Sequence, residues 1–128
     1  MKKVLIVSGN REKFKEIENL FSSDPDYEIF FAKRKDQVLD LVKNNFFTLA
    51  VCDESTADDF PGKKLIEEII KINAMVNTAL ASNLSDENFH EFTEGLGILK
   101  KMSQNPTEKE AKELFDYLQM IINPGAHN

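Results

Sequence analysis

The chain has no tryptophan, one cysteine, two histidines, four prolines and five glycines among 128 residues. One cysteine excludes an internal disulfide and points to a reducing compartment. Cys52 lies inside an apolar run and reads as a small buried hydrophobe. With His90 and His127 as the only histidines, neither a zinc site nor a Ser-His-Asp arrangement has enough parts. His90, between Glu87 and Glu91, reads as a surface residue. There is no Gly-rich phosphate fingerprint, and the loops lack the Trp or Tyr needed to sandwich a flavin. No apolar run approaches membrane-spanning length, and the one behind Met1-Lys2-Lys3 is too short for a signal-peptide core. Excess positive charge is missing too. The net charge is −6, which argues against nucleic-acid or anionic-membrane partners. Lys33-Arg34-Lys35 is the one basic run and reads as the solvated start of a helix. A cytoplasmic protein is the expectation.

What remains is ordinary globular material, 41% hydrophobic and 30% charged, of a length that fits one domain. Val4-Leu5-Ile6-Val7 is continuously apolar, so it reads as a strand buried on both faces. Gly9-Asn10 ends it, and Asn10 can cap a helix carrying Phe14, Ile17, Leu20 and Phe21. Residues 22–26 form a loop. A second strand spans 27–31, and Val38, Leu41 and Val42 mark a second helix that ends near Asn44-Asn45. The third strand covers about 47–53, followed by a polar loop from Glu54 to Phe60 and then Pro61-Gly62. Leu65, Ile66, Ile69 and Ile72 give a third helix, and strand four covers 75–81. Ser85 caps a short fourth helix, with Leu84 and Phe89 placed as a hydrophobic staple. Strand five falls near 98–102. Thr107 and Glu110 have capping-box spacing ahead of the stripe Ala111, Leu114, Phe115, Leu118, Ile121 and Ile122. Asn123-Pro124-Gly125 stops that helix. The expectation is one α/β domain over 1–122 with a frayed tail over 123–128.

Five strands alternating with five helices predict a doubly wound parallel sheet. Ligands in such sheets collect at the carboxyl ends of the strands, so the loops after Val7, Asp53, Ala81 and Met102 are the places to inspect. Asp53, at the exit of Leu49-Ala50-Val51-Cys52, is the leading candidate. Its bland reading is a carboxylate that caps nearby N–H groups. Ser8-Gly9-Asn10 precedes a helix and could bind an anion; a plain strand-to-helix turn is the preferred reading.

The order of elements, Lys2-Lys3-Val4-Leu5-Ile6-Val7, Leu49-Ala50-Val51-Cys52-Asp53, Phe60-Pro61-Gly62 and Thr78-Ala79-Leu80-Ala81-Ser82 together resemble the receiver domain of two-component response regulators over almost the whole chain. The resemblance implies a flavodoxin-like (βα)5 fold with strand order 2-1-3-4-5. It also implies a phospho-acceptor role for Asp53. Receivers place Mg²⁺ beside that aspartate through an acidic pair after strand one, because a hard cation takes oxygen ligands. A Ser/Thr after strand four and a lysine after strand five then hold the phosphoryl oxygens.

This sequence departs from that set. Ser8 and Gly9 stand at the acidic pair, and Ala81 at the Ser/Thr position with Ser82 next. The lysine position falls on Asn105 if Pro106 sets the register, or on Gln104 or Met102 counted from Gly97 or Gly95. Lys100 and Lys101 lie well before Pro106. Strand five has no counterpart of the receiver switch aromatic. Glu54, Asp58 and Asp59 leave Asp53 a weak Mg²⁺ site at most. The expectation is therefore a non-enzymatic, stand-alone signalling domain that acts through another signalling protein or a second copy of itself. Phosphorylation is lost or weakened, and Phe89 and Phe92 form the partner surface. The alternatives are a phosphorelay receiver phosphorylated on Asp53 and a small anion- or nucleotide-binding protein.

Overall fold

The computed structural model describes residues 1–127. Five strands form one parallel sheet: β1 (Lys2–Val7), β2 (Tyr27–Ala32), β3 (Leu49–Cys52), β4 (Asn77–Ala81) and β5 (Lys100–Met102), in the order β2-β1-β3-β4-β5. The helices are α1 (Lys15–Ser22), α2 (Lys35–Asn44), α3 (Gly62–Ile72), α4 (Asp86–Phe92) and α5 (Glu108–Ile122). A 3-10 turn over Arg11–Phe14 precedes α1, and another covers Pro124–His127. The expected order and parallel pairing are those found. The expected frayed tail ends on Asn128, which lies outside the described residues.

The β1 run faces two cores, as an uninterrupted apolar strand must. Val4 and Ile6 point into a layer with Phe14, Ile17, Phe21 and Leu114, under α1 and α5. Leu5 and Val7 point the other way, into a layer with Val38, Phe47, Leu65 and Phe89, under α2, α3 and α4. Phe21, Tyr27 and Phe115 pack as an aromatic trio, with Phe21 and Tyr27 edge to face at 5.1 Å. The Tyr27 hydroxyl accepts a 2.7 Å hydrogen bond from Gln119 Nε2, so its polar end has a partner.

Three strands are shorter than their sequence patterns. β3 begins at Leu49 because Phe47 is already fully buried against the second core, while Thr48 bonds back to β1 through its N–H and Lys3 O at 2.8 Å. β4 begins at Asn77, and Met75 is three-quarters exposed ahead of it. β5 keeps only three residues, Lys100–Met102, at the sheet edge. At the other end, β3 stops at Cys52 and leaves Asp53 at the carboxyl edge of the sheet.

Candidate functional site

Asp53 is held there from both sides of its backbone. Its N–H donates to Val7 O at 2.9 Å. Its carbonyl lies against Gly62, where any Cβ would come within 2.0 Å of Asp53 O. Only glycine tolerates that approach. The Gly62 N–H closes the loop by donating to Glu54 O at 2.6 Å.

Asp53 is 8% exposed, and its carboxylate is fully engaged. Lys13 Nζ lies 2.9 Å from Oδ1 and 3.0 Å from Oδ2. Ser8 Oγ lies 2.8 Å from Oδ2, and the Glu54 N–H donates to Oδ1 at 2.8 Å. A carboxylate offers about four lone-pair sites, and four polar contacts occupy them. The ammonium is equally committed. Its third contact is Gln104 Oε1 at 3.1 Å, and an ammonium carries three donors. Lys13, Asp53, Ser8 and Gln104 form one closed polar unit.

Lys13 reaches this site because of how the chain leaves β1. Asn10 caps the 3-10 turn through Oδ1, which accepts from the Glu12 N–H at 3.2 Å. Phe14, completely buried, pins the end of the turn in the first core. Between cap and anchor, Lys13 extends across the carboxyl edge of the sheet with a side chain only 21% exposed. Gln104 arrives from the loop after β5. Its Oε1 must face the ammonium, and its Nε2 is left buried without a hydrogen-bond partner. Flipping the amide would set a donor against a cation.

The expected site positions scatter around this unit. Ser8 belongs to it. Gly9 is exposed and packs toward Ala57 instead, with a Cβ position 3.3 Å from Ala57 Cα. Ala81 is completely buried in the first core. Ser82 is buried, and its Oγ accepts from the Leu84 N–H at 3.1 Å. Asn105 is exposed, and the residue after β5 that meets the site is Gln104. Lys100 pairs with Glu113 at 3.8 Å, while Lys101 donates to Leu84 O at 2.7 Å and pairs with Asp86 at 2.8 Å. Both bind locally, along α5 and at the start of α4.

Phe89 is 8% exposed and packs in the second core, so of the expected aromatic pair only Phe92, 48% exposed, presents a surface. Burial and the neighbouring Asp53 charge push the Cys52 thiol up to about 12, which leaves it an inert apolar side chain.

The donor set does not fit the Mg²⁺ that the receiver resemblance implies. Such an ion takes several oxygen ligands, yet Asp53 has no acidic neighbour after β1, and a resident ammonium holds both its oxygens. Glu54 turns away to accept from the Asn83 N–H at 2.9 Å, and Asp58 accepts from the Thr56 hydroxyl. Among the described residues no group of three or more His, Cys, Asp or Glu is placed to hold a metal. In the Ser8-Gly9-Asn10 turn, the Ser8 N–H donates to Ala32 O at 3.1 Å, the Asn10 N–H to Ser8 Oγ at 3.0 Å and the Lys13 N–H to Asn10 O at 3.2 Å.

Sequence reasoning missed Lys13. The usable signal was local: a cation one residue before a core phenylalanine, just after a strand whose exit carries Ser8 and Gly9. Only the fold could show that its reach ends at Asp53.

No family model matches the sequence, and no curated protein does. Solved structures do resemble it. A CheY-like response regulator receiver domain protein from Methanospirillum hungatei superposes with a TM-score of 0.79 at 18% identity, covering 98% of this chain and 99% of that one. The signal receiver domain of an HD domain-containing protein from Pseudomonas fluorescens gives 0.77 at 18% identity, over 99% and 93%. The response regulator domain of Thermotoga maritima CheB gives 0.75 at 17%, over 96% and 97%. At these identities the likeness is one of fold: the chain has the five-stranded, flavodoxin-like receiver architecture. Among the described residues no helix is long and apolar enough to cross a membrane.

Proposed function

We propose that this chain is a receiver-type signalling domain that works without a Mg²⁺-dependent phosphoryl switch and passes its signal by contact with another protein. The observation that carries this reading is the Lys13–Asp53 pair. In chemical terms, a carboxylate attacks a phosphoryl donor through a free lone pair. Here all of those sites are engaged, and the countercharge is a lysine tethered to the chain. The ion pair is short and largely buried, so exchanging it for a hydrated divalent ion would cost its hydrogen bonds without supplying a second acidic ligand. Asp53 then serves as a structural keystone, not a phospho-acceptor, and the domain carries no catalytic role of its own.

The test is an amide NMR titration with Mg²⁺ and then beryllofluoride, a phosphoryl mimic, on the wild-type protein and on Asp53→Ala. The expected result is no saturable change at Asp53, Glu54 or Ser82 up to about 10 mM Mg²⁺, because no second carboxylate is placed to share the ion with Asp53. Saturable shifts at these residues in the wild type, absent from Asp53→Ala, would make the domain a working phospho-acceptor and overturn the reading.

A further inference from the structure

Beside Asp53 an open groove of about 400 Å³ runs between the β3–α3 loop and α4. Pro61, Leu80, Leu84 and Phe92 give it apolar walls, and Glu54 and Lys63 are its charged lining. Phe92 and Leu84 are 48% and 36% exposed at its rim, so a large apolar surface stays wet in the free protein. Its volume is in the range of ligand clefts, roughly 300–1,000 Å³. The charges are asymmetric in availability. Lys63 Nζ lies 3.4 Å from Glu67 and 4.9 Å from the Phe92 ring centroid, which commits it. Glu54 uses one oxygen on the Asn83 N–H and is otherwise exposed. The other cation at the groove is committed too: Lys101 Nζ donates to Leu84 O at 2.7 Å and pairs with Asp86 at 2.8 Å.

We propose that this groove docks a segment of a partner protein that presents a large apolar side chain beside a lysine or arginine, the apolar group seating between Leu84 and Phe92 and the cation meeting Glu54. This rests on the contact-based output proposed above and names its surface. An apolar anchor with a charged rim is how such surfaces divide affinity from selectivity. Leu84 and Phe92, partly exposed at the groove's rim, present a wet apolar surface of the kind a partner segment covers. The groove is also wired to the closed polar unit. The Glu54 N–H donates to Asp53 Oδ1, and the Glu54 side chain bonds across to Asn83, which begins the loop into α4. The position that Lys13 gives Asp53 therefore sets one wall.

The experiment titrates the ¹⁵N-labelled protein, without Mg²⁺ or beryllofluoride, with the peptide acetyl-Arg-Leu-Phe-Arg-amide. The controls are its charge-reversed twin, acetyl-Glu-Leu-Phe-Glu-amide, and the single capped residue acetyl-Phe-amide. The expected result is saturable shifts at Leu80, Leu84 and Phe92 for the basic peptide, with the acidic twin at least about tenfold weaker, a difference typical of one well-placed charge contact. Glu54→Gln keeps an oxygen for the Asn83 N–H and removes only the charge, so it should erase the preference for the basic peptide. Phe92→Ala, with a dispersed spectrum showing it folded, should weaken binding about tenfold. Three results would overturn the proposal: no response up to about 5 mM peptide, well beyond weak recognition; equal response to both charge types; or acetyl-Phe-amide matching the basic peptide, which would assign the groove to small aromatic molecules. The titration does not involve the phosphoryl mimic, so its failure is separable from a failure of the Asp53 reading.

Discussion

Lys13 and Asp53 illustrate how a buried carboxylate is made tolerable. Desolvating a lone charge is costly, and a partner with good geometry offsets that cost only when the remaining lone pairs are also used. Ser8 and the Glu54 N–H complete the set at 2.8 Å each. Truncating Lys13 should therefore hurt more than an exposed salt bridge would. Lys13→Met is expected to lower stability by about 1–3 kcal/mol, the penalty for stranding hydrogen-bonded polar groups. Adding Asp53→Asn should recover part of it, because the second change removes the stranded charge. Urea unfolding of both single variants and the double variant measures the coupling, expected to be about 1–2 kcal/mol. Additive effects would mean that the pair contributes nothing jointly.

At the scale of single elements, α5 depends on its first turn. Thr107 Oγ1 accepts from the Glu110 N–H at 3.1 Å, and the Glu110 carboxylate returns to the Thr107 N–H at 3.3 Å. The same carboxylate takes the Ser103 N–H at 2.8 Å and the Ser103 hydroxyl at 2.6 Å, tying the loop after β5 to the helix. Burial pushes the Glu110 carboxyl up, but these donors and Lys100 outweigh it, and the net shift is downward. A lowered folded-state value means stability that is present above the ordinary glutamate range, near 4.5, and is lost as pH falls below it. Glu110→Ala should cost about 1–2 kcal/mol at neutral pH, as lost caps do. Its deficit against the wild type should shrink between neutral pH and a pH well below the ordinary glutamate range, as the native carboxyl takes up its proton too. Thermal unfolding at both pH values checks this; a deficit that stays constant with pH would deny the carboxylate its role. A change at α5 also reaches the Asp53 site, because Gln104 lies in the loop that Glu110 anchors.

At the scale of the whole molecule, the sheet has a full core on each face, and β1 contributes alternate residues to both. Neither helical layer can leave without exposing β1, an interior strand paired on both sides by β2 and β3. Unfolding should therefore be a single transition in urea, with coincident fluorescence of Tyr27 and Tyr117 and far-ultraviolet dichroism. The slope is expected to be roughly 1–3 kcal/mol/M. Separated transitions would show that the α4–β5 edge, with its three-residue strand, opens on its own. That edge borders the proposed groove, and lower local stability there would favour adaptation to a bound segment.

Much of this architecture is written locally. Uninterrupted apolar runs such as Val4–Val7 identify strands covered on both sides, and their alternation with helical stripes determines a parallel, doubly wound sheet. Asn10, Ser85 and the Thr107–Glu110 box mark helix starts by chemistry that acts within a few residues, so they too are legible in the chain. Asp53 is legible as a strand-end carboxylate. What that carboxylate touches is not, because Lys13 and Ser8 come from 40 and 45 residues before it, and Gln104, which holds Lys13 in place, lies 91 residues beyond that lysine. Lys13 and Gln104 meet only once β1, β3 and β5 lie in register. Nor could local pattern separate Phe89 from Phe92. They sit three residues apart on one short helix, yet the first faces the core and the second the groove beside Lys63, and only the packing of α4 against α3 and the sheet sets that rotation. Sequence specified the elements because their signals are short-range. Tertiary structure alone decided the site, because an ion pair is defined by distance in space and not along the chain.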